Sequence, residues 1–579
     1  MLPLKLADPS QVRLGGLLGQ EADRSARARL HSWIRDCDSP AVRVFRPPFR
    51  ESNTKGDWYG EHAGKWMIAG SRAARRLQDG ELADRVLSVA LGLLEVQEDS
   101  GILSAYPKGA ACRFDKPADG RTWDLWIQAY TMLGLLEADQ LWPGQGLADA
   151  AVQAAEALED SMAAISRPIR SLGNHGGLSA SVVLEPVCAL GIRSGSPWMR
   201  ALADRIVQEL ESDLIAHLLG GQGVASVATG KIYQILWNLV GLLRYHEWTG
   251  EGFALTAAIR GWEDIRDHHL TPGGGPWGGV AGHKETFNSR GFFSPYGMVE
   301  VCSTWSWMQL SRDLYRLTGD SRYLDAVECS AYNQLLGAMD ANGEDWSYFT
   351  FPNGRRNPTY DWACCKSSGA AAWEEIAPLA VQEEDGRVRC ALLAPFSYEG
   401  PRGRIGLEGE PLGSMRLATE FGSPTELWVR RPGWASSFQI SREGEPLTLG
   451  PDDGWARVML PAGPYKLEIV TAAKPKVVPA VASLDHHGQE IQHMDYFAVT
   501  YGPFAMATGL IEGYKREETV RLARLFGSEA FQIGEGPDGL PRLVLVRPDG
   551  PDLEFDPYFL AGGREMGRWR STWLQVAWQ

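Results

Sequence analysis

The sequence predicts a multidomain α+β protein in which an α-helical toroid is followed by β-sandwich modules. Three observations predict it. Apolar residues recur at spacings of three and four from about residue 20 to 380, the period of helices with one buried face. Short phrases repeat along that stretch, as they do in arrays of helical hairpins. Near residue 385 the apolar period shortens to two, the period of strands.

The helices follow in order. Leu82, Val86, Leu87, Ala90, Leu91 and Leu94 mark one apolar face, and similar stretches cover 126–136, 148–158, 182–190, 232–243 and 305–317. Gly92-Leu93-Leu94-Glu95 returns as Gly134-Leu135-Leu136-Glu137 and as Gly241-Leu242-Leu243-Arg244. Thr249-Gly250-Glu251 precedes Phe253 to Ala257 as Thr318-Gly319-Asp320 precedes Arg322 to Ala326. One hairpin cannot bury its own apolar face, so neighbours stack, and a closed ring is the compact solution at this length. The Gly-rich stretch 271–282 then becomes a loop over one mouth of the ring. Beyond it, 425–429, 438–440, 455–460 and 465–470 alternate apolar and polar residues between Gly, Pro and Asp turns, a sandwich pattern. Residues 496–499 and 543–546 read as further strands, and 549–556 as a polar loop. The expected domains are a barrel over 1–385, a jelly-roll-like sandwich over 386–480 and a second β-rich module over 481–579.

Composition narrows the function. The formal charge of -15 disfavours nucleic acid and anionic membranes as partners, since both need clustered basic surface. Residues Met1 to Asp8 contain no continuous apolar segment of a secretory signal, and no run approaches the ~18 apolar residues of a membrane span. Eight cysteines in 579 residues are too sparse for a disulfide framework, which points to a reducing, cytoplasmic setting. The 22 tryptophans exceed what composition alone calls for. Many belong in the core, yet indole faces also suit sugar rings.

Chemistry concentrates at a cysteine pair. Cys364 and Cys365 are adjacent, and neighbours rarely bridge, because a disulfide needs a geometry that a trans dipeptide strains. A reduced pair invites a soft metal. Glu300-Val301-Cys302 offers two more donors, expected on one side of an extended or turn backbone, and together they make a four-ligand set for Zn²⁺. Residues 366–375 read as a helix start, whose dipole would favour the thiolate. A purely structural zinc site, or small buried thiols, fits the same residues. The Gly-rich loop 279–288 carries Glu285, a carboxyl that burial could adapt to protonate a leaving oxygen. Taken alone, Glu285 reads as a solvated loop residue. His268-His269 and His486-His487 stand apart from the cysteines and read as surface or helix-end residues.

These motifs together resemble glycoside hydrolase family 127, the β-L-arabinofuranosidase-like proteins. The resemblance rests on Gly282-His283-Lys284-Glu285-Thr286-Phe287, on Pro295 to Ser303 with Glu300-x-Cys302, and on Ala363-Cys364-Cys365. Looser matches are Tyr332-Asn333-Gln334-Leu335-Leu336 and Arg431-Pro432-Gly433-Trp434-Ala435. It implies an (α/α)6 barrel followed by β-sandwich modules, with Zn²⁺ held by Glu300, Cys302, Cys364 and Cys365. It further implies Cys364 as nucleophile and Glu285 as acid/base, in place of the usual carboxylate pair of glycosidases. Two displacements would then retain the anomeric configuration, releasing a furanosyl-type sugar.

The sequence departs from the family at the sugar pocket. Lys231-Ile232-Tyr233 stands where relatives carry His-x-Tyr, Asn174 to Leu178 replaces a Glu-Phe-Gly-Gly-like stretch, and Gln128 to Thr131 replaces a His-Lys motif. The candidate sugar contacts are His175, Lys231, Tyr233, Trp277 and His283. Lys231, and Lys65 with it, could pair with a carboxylate on an acidic sugar, or Lys231 could snorkel from a helix end. Trp277 could stack on a sugar or pin its loop. The expected partner is a small oligosaccharide or glycoconjugate, with a homodimer allowed for. Two other functions fit a toroid: a polysaccharide lyase or sugar epimerase, and a carbohydrate-binding protein without turnover.

Overall fold

The computed structural model describes residues 3–54, 57–116, 123–279, 285–360, 362–449, 453–486, 489–510, 519–523, 527–547 and 551–578. Its helical part contains α1 (Gly16–Ser25), α2 (Glu61–Leu77), α3 (Gly80–Leu94), α4 (Asp124–Leu141), α5 (Leu147–Ile165) and α6 (Leu184–Ser194). It continues with α7 (Pro197–Leu210), α8 (Ile232–Thr249), α9 (Gly252–His268), α10 (Val301–Thr318), α11 (Arg322–Cys329) and α12 (Cys364–Trp373). The even-numbered helices form a closed inner ring, in which α2 packs on α4, α4 on α6, α6 on α8, α8 on α10, α10 on α12, and α12 on α2. Helices α3, α5, α7, α9 and α11 each pack behind the preceding inner helix, and α1 lies behind α12. This is the (α/α)6 barrel. The N-terminal helix completes the last hairpin, so the two ends of the barrel segment close the ring.

Residue type separates the two layers. Every residue of α12 is buried, as is every residue of α10 from Val301 to Tyr315, so inner helices can carry polar groups only where these find partners. Outer helices are amphipathic. In α3 the buried stripe is Leu82, Val86, Val89, Ala90 and Leu93, while Leu91 turns outward. The repeated Thr-Gly phrase ends α8 and α10, where Gly250 and Gly319 take left-handed φ values of 79° and 73°. The segment 175–194 is apolar enough in composition to cross a membrane, against the sequence expectation, yet it is a mostly buried core element kinked at Gly176.

Two sheets follow the barrel. A seven-stranded sheet runs in the order Val12–Leu14, Phe396–Gly400, Gly403–Gly409, Ser414–Phe421, Gly463–Ala472, Ser437–Arg442, Glu445–Pro446. A four-stranded sheet runs Trp455–Leu460, Thr425–Arg430, Arg387–Cys390, Val381–Glu384. Met415, Leu417 and Phe421 face inward from one, and Leu427 and Val429 from the other. The chain's start supplies an edge strand, and residue 385 lies in the turn of the hairpin formed by Val381–Glu384 and Arg387–Cys390.

The looser sequence phrases are docking points. Arg430 is buried against α11, 3.0 Å from Asp325 and in contact with Glu328. Trp434 Nε1 donates to Glu328 at 2.8 Å, and the Gly433 amide donates to Asp325 at 3.1 Å. Asn333 ties the barrel to the last module, donating to the Pro503 carbonyl at 2.8 Å and accepting from the Ala505 amide at 2.7 Å. That module is an eight-stranded sheet. The first two residues of the expected polar loop at 549–556 lie outside the described residues, and its second half belongs instead to the strand Leu553–Pro557. Its inward Leu553 and Phe555 alternate with Glu554 and Asp556, which Arg542 holds at 2.6 and 2.7 Å, so acidic residues masked a period-two strand.

Inner helices α2 and α4 meet backbone to backbone. A Cβ on Gly64 would lie 2.2 Å from the Tyr130 carbonyl oxygen, and one on Gly134 would lie 2.8 Å from the Gly64 Cα. Gly64→Ala should gain ~1 kcal/mol of helix propensity and lose more through overpacking, typically ~1–3 kcal/mol. A lower thermal unfolding midpoint is expected, and a variant as stable as the wild type would refute the tight crossing.

Candidate active site

Successive inner helices are separated by an outer helix that runs back, so all six start at the same mouth. Their first turns supply the cavity wall. Glu61 opens α2, Trp123 caps α4 and Trp126 follows it, and His175 opens the kinked segment leading to α6. Lys231 caps α8, with Tyr233 and Gln234 in its first turn, Glu300 caps α10, and Cys364 opens α12. These residues line one cavity of about 690 Å³ together with Trp58, Glu285, Tyr348, Phe349 and Tyr360. Helix N-termini carry partial positive charge and unpaired amides, which favours carboxylates and thiolates there.

At the inner wall, Glu300, Cys302, Cys364 and Cys365 bring their donor atoms within 4.8 Å of one another, all buried. Cys302 Sγ lies 3.4 Å from both Cys364 Sγ and Cys365 Sγ, far beyond a disulfide bond, and all three thiols are free. Sulfurs about 2.3 Å from one tetrahedral metal sit about 3.8 Å apart, close to this spacing. Glu300 Oε2 is buried without a hydrogen-bond partner. Three sulfurs and a carboxylate oxygen that makes no hydrogen bond are the donor set of a soft divalent metal, and the residues fit one. Glu300 and Cys302 do not sit together on one extended or turn backbone as expected from sequence. Glu300 ends the strand Met298–Glu300 and caps α10, whose first turn brings Cys302 round to it.

The three thiols are inequivalent. Hydrogen bonds from Cys302 and then Cys365 hold Cys364 well below the usual thiol range, helped by Lys65 and His62. Burial pushes Cys302 and Cys365 up instead. Of the three, Cys364 lines the cavity. The Tyr348 hydroxyl lies 3.9 Å from its sulfur, and the Cys365 thiol donates to the Tyr348 carbonyl at 3.7 Å.

Glu285 reaches the same cavity through Lys231. The amide of Ile232 donates to the Glu285 carbonyl at 3.0 Å and that of Phe287 to the Gly230 carbonyl at 2.9 Å, so the loop is stitched to the start of α8. The Lys231 ammonium contacts the Glu285 carboxylate and lies 3.5 Å from Glu300 Oε2. Lys231 is 5% exposed, so it does not snorkel, and its ammonium faces two carboxylates. Lys65 is likewise fully buried, 3.3 Å from Glu61 and over the rings of Tyr130 and Tyr233 at 4.7 and 5.0 Å.

Other expectations fare differently. Trp277 is absent from the wall of this cavity; it is buried in the strand pair with Val299, packs against Gly297 and meets Phe292 at 6.4 Å, so it pins its loop. His283 lies outside the described residues. His269, expected at a surface or helix end, does end α9 but is buried, 4.7 Å from Phe287. Sequence reasoning missed Glu61, Trp58, Trp123, Tyr348 and Tyr360 in the wall. The available signal was position, since Glu61, Trp58 and Trp123 fall within three residues of an inner-helix start.

Below the cavity the ring is plugged by aromatic side chains. Trp126 meets Trp237 at 4.8 Å, Trp237 meets Tyr130 at 4.1 Å, and Tyr130 stacks on Trp305 at 6.2 Å. Glu185 sits under this floor, accepting from Trp237 Nε1 and, at 3.0 Å, from Gln309, and burial raises it to about 7.

Residues 23–378 match the family model "β-L-arabinofuranosidase, GH127 catalytic domain". The chain belongs to glycoside hydrolase family 127. Among solved structures, a GH127 β-arabinofuranosidase superposes with a TM-score of 0.77 at 16% identity, over 100% of this chain and 98% of that one. A GH127 β-L-arabinofuranosidase from Geobacillus stearothermophilus T6 gives 0.74 at 16% identity, over 98% and 100%. Another glycoside hydrolase gives 0.72 at 15% identity, over 99% and 98%. At such identities the likeness is one of fold, from the barrel through both β-rich parts. No curated protein matches the sequence. The family 127 assignment makes this chain a glycoside hydrolase, and its Glu/Cys cluster lies within the matched residues.

Two outcomes are expected. The purified family 127 protein should hold about one divalent metal ion per chain, and Cys302→Ser or Cys365→Ser should remove most of it by elemental analysis. Metal content untouched by both variants would exclude the cluster. For Glu185, the native state keeps a proton that the unfolded chain releases above about 4.5, so its contribution is full below that value and lost as pH rises through about 7. Unfolding midpoints of Glu185→Gln should therefore decline less over that interval than those of the wild type.

Proposed function

We propose that this family 127 glycoside hydrolase is a retaining, zinc-dependent exo-glycosidase that uses Cys364 as nucleophile and Glu285 as acid/base to release a furanosyl sugar. The observation that carries the reading is the standing of Cys364, the thiol of the Glu/Cys cluster that faces the cavity, where hydrogen bonds from its two cysteine neighbours favour the thiolate. Glu300, Cys302, Cys364 and Cys365 would hold the Zn²⁺, which when bound supplies charge that keeps the thiols deprotonated.

The residues divide the work. Cys364 Sγ attacks the anomeric carbon while Glu285 gives its proton to the departing oxygen, so a C–S bond forms as the C–O bond breaks. Glu285, now a carboxylate, takes a proton from water. The water oxygen then bonds to the anomeric carbon and Cys364 leaves as thiolate. Two inversions give net retention. The contact with Lys231 and the stitched backbone hold Glu285 in the wall, and Glu285 takes the proton it delivers from solvent as that ion pair opens on substrate binding. Because Lys231 and Lys65 are both engaged with carboxylates, the reading favours a neutral sugar over a uronide, and a β-L-arabinofuranoside is the substrate proposed. The sparse, unpaired cysteines suit a reducing, cytoplasmic setting for such an enzyme.

Hydrolysis of aryl and alkyl β-L-arabinofuranosides tests this. Cys364→Ala should abolish turnover of both. Glu285→Gln should lower kcat for the alkyl substrate by about 10²–10⁴-fold, and much less for an activated aryl one whose leaving oxygen needs no proton. Lys231→Met should show the same split more weakly with metal content intact. Equal losses on both substrates would remove Glu285 from the acid role, and an ultraviolet-absorbing unsaturated product would identify a lyase instead.

A further inference from the structure

We infer that the outer half of the cavity is a leaving-group subsite for a ring with an apolar face, a pyranose or an aryl aglycone, seated against Trp58, Trp123 and Tyr360. This rests on the hydrolase reading and adds to it the class of leaving group. Three observations carry it.

The wall is ordered by depth. Glu61, Lys231, Tyr233, Glu300 and Cys364 are all buried, and they come from the caps and first turns of inner helices. Trp58 and Trp123 are half-buried and Tyr360 is 54% exposed, and they come from the segments just before α2, α4 and α12. The reacting groups therefore occupy the inner end and the aromatic rings the mouth.

The inner end is closed. With Trp126, Tyr130, Trp237 and Trp305 plugging the ring, substrate enters and product leaves by the same mouth. A sugar whose anomeric carbon lies at Cys364 must then direct its leaving group outward. The cavity's volume of about 690 Å³ is that of a site for a drug-sized ligand, well beyond one furanose ring.

Two of the outer rings form one aromatic wall, and Tyr360 lines the same cavity. Trp58 and Trp123 meet edge-on with centroids 6.3 Å apart and planes at 63°, and Trp123 meets the His175 ring at 6.1 Å. Partly exposed aromatic side chains grouped at one mouth mark a ligand groove, and the C–H face of a pyranose or the π face of an aryl group matches them.

The test compares glycosides whose leaving groups have matched acidity, one carrying a ring and one acyclic, so that chemistry is held constant while stacking varies. The wild type should prefer the ring-bearing substrate by about tenfold in kcat/KM. Trp58→Ala, Trp123→Ala and Tyr360→Ala should each lose a large part of that preference, and Trp58→Phe and Trp123→Phe should keep some of it and serve where an alanine form does not fold. A wild type without ring preference, or variants that retain it in full, would overturn the subsite. If the wild type cleaves neither glycoside, the hydrolase reading fails separately. Calorimetric binding of phenyl and methyl β-L-arabinofuranoside to the wild type then decides the subsite, with tighter phenyl binding supporting it and equal affinities overturning it.

Discussion

The convergence of six inner-helix N-termini on one buried point is the constraint on which the rest of the site depends. Each inner helix is followed by an outer one that returns the chain, so the ring can close only with all inner helices parallel. Their positive ends then meet at one mouth, where Glu61, Glu300 and Cys364 sit in caps or first turns. An isolated carboxylate or thiolate buried so deeply would be costly. Here helix dipoles, Lys65 and Lys231 offset that cost, and the Glu/Cys cluster is compatible with a bound cation that would offset it further.

Among the described residues, the β-rich parts hold the ring rather than line its cavity. Arg430 from the four-stranded sheet is buried against Asp325 and Glu328 of α11, an outer helix on the hairpin that carries Glu300 and Cys302. Breaking such a pair would strand a buried charge, so the contact defines one docked arrangement more than it adds stability. Asn333 does the same toward the C-terminal module with two hydrogen bonds to backbone. The motif phrases around Tyr332 and Trp434 thus mark domain contacts, while those around Glu285, Glu300 and Cys364 mark the cavity.

Elements with a single period were legible in the sequence. The inner and outer helices carry unbroken apolar spacing, and the Thr-Gly phrases end helices at Gly250 and Gly319 because glycine adopts the left-handed cap readily. The strand Leu553–Pro557 was illegible because its outward residues are Glu554 and Asp556, whose charge made it look like a loop until Arg542 came into view. The membrane-like apolar stretch at 175–194 is the same problem reversed, since a helix enclosed in a ring has no polar face to show. In the site, the donor types of the Glu/Cys cluster were readable from their rarity. Trp58 and Trp123 carried only a positional mark, their closeness to an inner-helix start, which residue type among 22 tryptophans does not bring out.

By itself, the sequence determined the class of fold, the family 127 motifs and the donor atoms that could hold a metal, since these depend on residue type and local spacing. Only the tertiary structure decided what those residues face. Lys231 reads as a free cation along the chain, but is committed because Glu285 and Glu300 converge on it from 54 and 69 positions away. Trp277 reads along the chain either as a sugar platform or as a loop pin, and in the structure it packs into its loop against Gly297. The family resemblance gives Cys364 and Cys365 different roles; in the structure a helical rotation of about 100° per residue turns the first to the cavity and the second inward. Contacts made across the ring, between residues far apart along the chain, set each group's charge and access.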